Sequence, residues 1–210
     1  NDSGSLLEVY GTKVVVAGDF TAAGTVIANG VAAWSGSAWS SMGTGLGPEG
    51  WITALVAHDG LLLAGGDFPE IGINRVPYLA AWDGTNWIEY AGGISKPVSA
   101  MTNYDANLVA AFRDDSSAGG SGTIETWDGV SWTLLADTDQ IDFDVMSEAA
   151  GKLIVGGWDT DLGSFAAEWN GVEWALIRGP GLDGPVNVAV EYAGDLVIGG
   201  GFTQVGAVAA

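Results

Sequence analysis

Apolar runs that close on glycine recur along the chain at a near-constant interval. Val14-Val15-Val16-Ala17-Gly18, Leu61-Leu62-Leu63-Ala64-Gly65-Gly66, Leu153-Ile154-Val155-Gly156-Gly157 and Leu196-Val197-Ile198-Gly199-Gly200 share the form, and Leu108-Val109-Ala110-Ala111-Phe112 repeats it without the glycines. A second apolar run and a turn precede each one. The pattern is clearest from Ile52 to Phe68, where Leu55 aligns without gaps with Leu7, Met101, Met146 and Ala189. Two short apolar runs about a turn predict a pair of antiparallel strands. Runs such as Leu61-Leu62-Leu63 place apolar side chains on both faces, as expected of a strand covered on both sides. The terminal glycines mark a place where backbones come close.

Between these pairs lies a second element, Trp-x-Gly-x-x-Trp. It occurs as Trp34 to Trp39, Trp82 to Trp87, Trp127 to Trp132 and Trp169 to Trp174, with first residues 48, 45 and 42 positions apart. Four residues separate the tryptophans, and Asp-Gly or Asn-Gly among them favours a tight reversal. The two indoles then face one another across a hairpin and form an aromatic patch on one sheet face. Aromatic pairs contribute about 0.5–1.5 kcal/mol beyond the area they bury.

Two hairpins per repeat of this length make a four-stranded sheet, and radially arrayed four-stranded sheets are the blades of a β-propeller. The fold class expected is therefore all-β, a propeller of four-stranded antiparallel blades, about five in number with the last incomplete. Residues 1–210 are read as a single propeller domain or a segment of one, with blades at 5–46, 52–94, 98–136, 143–179 and 186–210. The third unit carries a polar segment, Arg113 to Gly122, expected as an exposed loop or a solvent-facing strand edge. The fifth has a first hairpin and no tryptophan hairpin, so about 18 strands stand where five closed blades need about 20. A protein partner, or a further part of the same polypeptide, is expected to complete it, because unpaired strand edges are liabilities.

The recurring set Gly65-Gly66-Asp67-Phe68, Gly72 and Ala80-Ala81-Trp82-Asp83-Gly84-Thr85-Asn86-Trp87 resembles the kelch-like β-propeller repeats, including the galactose oxidase central-domain type. Such repeats occur in many secreted bacterial proteins and in fungal cell-cortex polarity markers. The resemblance covers nearly the whole chain and implies the propeller fold and a secreted or surface location. It names no ligand, since the shared residues are those that pack blades.

Composition narrows the function. Acidic residues outnumber basic ones 26 to 6, for a formal charge of −20. That charge repels nucleic acid and anionic lipid headgroups. No apolar stretch approaches the length of a membrane span, so no membrane insertion is expected. With no cysteine and one histidine, neither thiolate metal sites nor a copper centre of the galactose oxidase kind can be built.

His58 falls in a column with Tyr10, Tyr104, Ala149 and Tyr192 and is read as a stand-in for a structural aromatic ring. Arg75, Arg113 and Arg178 lie in three different units but at unrelated repeat positions, so they are read as offsetting nearby carboxylates rather than forming a clamp. The densest acidic run holds Asp137, Asp139, Asp142 and Asp144, with Asp159 and Asp161 following. It is read as a solvated connection between blades, with a Ca²⁺ site as the sharper alternative, because alternating aspartates supply oxygen ligands. No other cofactor is expected.

The function expected is a non-catalytic extracellular or surface-associated interaction or structural module. The first alternative is a carbohydrate-binding, lectin-like propeller using Trp51 and Trp158, the two tryptophans outside the motif. The second is a carboxylate-based carbohydrate-active enzyme, for which no particular pair of acids stands out.

Overall fold

The structure, a computed structural model, describes residues 4–47, 49–113, 122–138, 141–159, 161, 163–177, 182–205 and 208–209. Among these residues every regular element is a strand. The fold is all-β, built from the four-stranded antiparallel blades of a β-propeller, with a fifth blade incomplete. The chain divides into two compact units, Asn1–Val98 and Ser99–Ala210.

The first unit holds two blades. Blade one runs β1 (Gly4–Tyr10), β2 (Lys13–Gly18), a small hairpin of β3 (Ala22–Ala23) and β4 (Val26–Ile27), then β5 (Val31–Trp34) and β6 (Trp39–Ser41). Its sheet order is β1-β2-β5-β6, and the small hairpin stands outside the sheet. Blade two is β7 (Trp51–His58), β8 (Leu61–Asp67), β9 (Leu79–Trp82) and β10 (Trp87–Glu89), paired in chain order. Val15, Ala17 and Val31 of blade one pack with Leu55, Leu62, Phe68 and Trp87 of blade two in one continuous core. Leu62 and Leu63 are both fully buried, worth about 1.5–3 kcal/mol each. Apolar residues on both faces of β8 are thus accounted for. Glu8 joins the same two blades by accepting the Ala57 N–H at 3.0 Å. Burial raises its carboxyl above the ordinary value, and the Ala57 hydrogen bond partly opposes the rise.

The second unit repeats the scheme. Blade three is β11 (Val98–Tyr104), β12 (Asn107–Arg113), β13 (Gly122–Trp127) and β14 (Trp132–Thr138). Blade four is β15 (Ile141–Ala149), β16 (Lys152–Asp159), β17 (Gly163–Trp169) and β18 (Trp174–Leu176). Val109, Ala111 and Ile124 pack against Phe143, Met146, Val155 and Phe165. Blade five holds the pair β19 (Val186–Tyr192) and β20 (Asp195–Gly200), followed by β21 (Gln204–Val205) and β22 (Val208–Ala209), which pair with each other. Ala189, Leu196 and Ile198 pack on Ala149 and Ile154 of blade four.

The tryptophan hairpins form as their spacing predicts. Trp34 pairs with Trp39, Trp82 with Trp87, Trp127 with Trp132 and Trp169 with Trp174. Their ring centroids lie 5.2, 5.3, 5.4 and 5.3 Å apart. Asp83 holds the turn by accepting the Thr85 and Asn86 N–H groups at 2.8 and 2.7 Å. Asp128 does the same for Val130 and Ser131, and the neutral Asn170 for Val172 and Glu173. Gly84, at φ +102°, takes a backbone conformation that other residues resist.

The glycine pairs sit opposite a bulge. The β7–β8 register shifts between Ile52 and Ala54, and the same shift occurs at Phe143/Val145 and Val186/Val188. A side chain at Gly66 would collide with the Trp51 carbonyl and the Ile52 Cα, so glycine accommodates the extra residue. One expectation changes here. Most of the acidic run is strand rather than connection: Asp137 lies in β14, and Asp142 and Asp144 lie in β15. Ile141 and Phe143 join the buried face, and the bulge between Phe143 and Val145 brings Met146 rather than Val145 into line with them. Of the polar segment expected as a loop or edge in the third unit, residues 114–121 lie outside the described residues.

Candidate functional site

Trp51 and Trp158 occupy equivalent ladder positions on opposite strands of their blades. Trp51 opens β7 opposite Asp67, and Trp158 faces Asp142 on one side and Ser164 on the other. Trp51 is 59% exposed and Trp158 48%, although tryptophan is highly buried on average.

Trp51 stands in the wall of an open cleft of about 710 Å³ in the first unit. The segment after β2 supplies Asp19, Phe20 and Thr21, the approach to β5 supplies Asn29, and the link from β6 to β7 supplies Leu46. Backbone bonds hold these segments together: Gly30 N–H to Phe20 O at 2.8 Å, and Leu46 N–H to Asn29 O at 2.8 Å. Asn29 donates from Nδ2 to Thr44 O at 3.0 Å, which fixes its amide at the rim. Gly50, at φ +123°, leaves no room for a side chain against Phe68 and thereby sets the entry of the chain into β7. A flat apolar ring beside carboxylate, hydroxyl and amide groups can take a ligand with an apolar face and a polar edge.

His58 is 7% exposed, and its ring meets Tyr90 edge-on at 6.3 Å. It packs as the aromatic ring its column predicts, with Asp59 at 3.6 Å from Nε2. Arg75 pairs with Glu70, and Arg113 lies 3.9 Å from Asp144. Arg178 lies outside the described residues. Of the calcium candidates, Asp137 is exposed and Asp144 faces Arg113. Asp139, and the side chain of Asp142, lie outside what is described. Among the described residues no group of three or more His, Cys, Asp or Glu side chains is placed to hold a metal ion.

A smaller cavity of about 290 Å³ lies between blades three and four, lined by Phe143, Phe165, Trp174 and other apolar groups. The Trp174 Nε1 is buried with no acceptor among the described residues, whereas Trp87 Nε1 donates to Met42 O at 3.0 Å. Elsewhere Asp83, Asp128 and Asp183 have carboxyls held below the ordinary value. Backbone N–H groups do this at the first two, while the Thr203 hydroxyl and neighbouring N–H groups do it at Asp183.

Asp19, Thr21 and Asn29 escaped notice in the sequence. Gly18-Asp19-Phe20 recurs as Gly66-Asp67-Phe68, and a repeated motif reads as packing; only the cleft shows that the first copy lines open space.

No protein-family model matches the chain, and no curated protein does. Solved structures do. The chain is similar to the β-propeller domain of the Trilobed protease from Pyrococcus furiosus, described as having an open velcro topology. That match has 13% identity and a TM-score of 0.52 over 83% of this chain and 52% of that one. It is also similar to the computationally designed Ika8 protein, at 16% identity and TM-score 0.54 over 94% and 68%. A third is Aleuria aurantia lectin in complex with α-methyl-L-fucoside, at 15% identity and TM-score 0.52 over 89% and 64%. The chain thus spans about half the length of the protease propeller and under two thirds of the lectin. At these identities the likeness establishes the propeller fold. Among the described residues no helix is long and apolar enough to cross a membrane.

Proposed function

We propose that the chain is a non-catalytic, extracellular or surface-associated binding propeller that takes glycans in the Trp51 cleft. The observation that carries this reading is the exposed Trp51 indole in the wall of a cleft edged by Asp19, Thr21 and Asn29. A pyranose has the matching shape. Its C–H face covers an indole, and its hydroxyls hydrogen-bond to carboxylate and amide groups. The lectin among the structural neighbours, seen with a bound fucoside, supports the choice of ligand class. The secreted location, and kinship with kelch-like repeats in particular, rest on the Gly-Gly-x-Phe and Trp-Asp-Gly-x-x-Trp residues.

A glycan array probed with the purified chain tests the reading. Binding to a restricted set of glycans is expected, reduced at least tenfold by Trp51→Ala. A silent array across broad glycan classes would remove the proposal, and so would binding indifferent to Trp51. Release of sugar products from the bound glycans would replace a binding module with an enzyme.

A further inference from the structure

Blades two and four meet their preceding blades with the same set of side chains. Ile52 and Phe143 each pair with the second glycine of the following strand, Gly66 and Gly157. Ala64 faces Ala80 beside the Leu62–Trp82 pair, and Val155 faces Ala167 beside the Leu153–Trp169 pair. Trp87 and Trp174 complete the two hairpins. The preceding blades supply Val31 and Ile124, which stand at the same distance before Trp34 and Trp127. One wall is therefore built twice, once in each unit.

What the walls enclose differs. In the first unit Phe68, Ile71 and Val76 are buried among these residues. The link that carries them, between Asp67 and Leu79, lies against Trp87, and Asn74 donates from Nδ2 to the Trp87 carbonyl at 2.8 Å. In the second unit the link runs only from Asp159 to Gly163, too short for a segment like Ile71 to Val76. Counted from the paired glycines, Asp159 stands where Phe68 does. The cavity of about 290 Å³ bounded by Ile124, Phe143, Phe165, Ala167 and Trp174 thus corresponds to the place that one phenylalanine, one isoleucine and one valine fill in the first unit. Every residue lining it belongs to blade three or blade four.

Charge selects among apolar ligands. Asp137, exposed at the rim, is the only ionised group among the described lining residues. With a formal charge of −20 on the chain, anions are repelled and cations drawn in. We infer that the cavity between blades three and four binds a primary arylalkylamine, its aromatic ring among Phe143, Phe165 and Trp174 and its ammonium at Asp137. Phe143 and Phe165 already meet edge-on at 6.2 Å, the arrangement a third ring can extend. A dry cavity of about 150 Å³ accepts benzene, so the larger volume here accommodates a ring with a short chain. This site is distinct from the Trp51 cleft, which belongs to the first unit.

Phenethylamine titrated calorimetrically into the full chain at neutral pH tests this. Saturable one-to-one binding is expected. The uncharged 2-phenylethanol is expected to bind about threefold more weakly, the worth of an exposed charge pair, and 3-phenylpropionate more weakly still. Asp137→Asn, a change at an exposed position, is expected to remove the preference for the amine over the alcohol. Ala167→Leu, which fills the cavity from its own wall, is expected to weaken both by about tenfold or more, with thermal unfolding checking that the variant is folded. Trp51→Ala is expected to leave amine binding unchanged, which separates this site from the glycan reading. No saturation at millimolar amine would overturn the inference. So would a preference for the amine that survives Asp137→Asn, or binding that survives Ala167→Leu in a folded chain. Loss of amine binding in Trp51→Ala would assign the amine to the other cleft and overturn it as well.

Discussion

Two tryptophans at the same repeat position make unequal contributions. Trp87 is fully buried and its Nε1 donates to the Met42 carbonyl across the blade interface, whereas Trp174 buries the same N–H with no acceptor among the described residues. Removing the indole nitrogen from Trp87 takes one of two donors from the Met42 carbonyl, which keeps the Gly45 N–H at 3.3 Å; the lost bond costs about 0.5–1.5 kcal/mol in addition to the lost volume. At Trp174 it removes an unsatisfied donor, which offsets the volume loss. Trp87→Phe is therefore expected to lower unfolding stability by about 2 kcal/mol and Trp174→Phe by less than about 1 kcal/mol, measured by urea titration. Equal losses would refute the assignment.

The turn residues differ in charge rather than geometry. Asp83 and Asp128 have lowered carboxyl pKa values because backbone N–H groups favour the charged form. A lowered folded-state value gives stability that is present above the ordinary value of 3.8 and is lost as pH falls through the folded-state value. Asn170 makes the same two bonds without titrating. Asp83→Asn combined with Asp128→Asn is thus expected to leave neutral-pH stability nearly unchanged and to flatten the acid limb of a urea-midpoint profile below about pH 4. An acid limb as steep as that of the unchanged chain would exclude these two carboxylates as its source.

At the scale of elements, the repeat was readable because it rests on signals that side-chain type carries directly. Alternating apolar residues, paired glycines and tryptophans four residues apart placed the blade ladders and the faces of the hairpins. What escaped was set by backbone geometry. The β3–β4 hairpin has two-residue strands of alanine, valine and isoleucine, too short to show a period. The strand from Ile141 was hidden because its aspartates drew attention away from Ile141, Phe143 and Met146, and because the bulge between Phe143 and Val145 breaks the alternation that would have shown them on one face. The cleft was less legible still. Trp51 stood out by lying outside the motif, but Asp19, Thr21 and Asn29 are ordinary repeat residues that become neighbours only when the β6–β7 link folds back over the loop after β2.

For the whole molecule, the net charge of −20 has a bearing on the unfinished blade. Val188, Val190, Tyr192 and Val197 leave apolar surface open beside the β20 edge; Val197 is 46% exposed, while Leu63 and Val109 at its repeat position are fully buried. Such a surface invites association, and like charge keeps copies apart over a screening length of about 8 Å at physiological ionic strength. Raising sodium chloride to about 1 M, where that length falls to about 3 Å, is expected to increase light scattering by the chain. Val190→Lys with Val197→Lys is expected to suppress the increase. Scattering unaffected by salt would show that another property keeps the chain dispersed.

The bulge opposite the paired glycines has a consequence for descent. Blades two, four and five each shift their own ladder within a few residues, at Ile52/Ala54, Phe143/Val145 and Val186/Val188. A gene segment encoding one blade can be copied, lost or exchanged without disturbing the pairing of its neighbours.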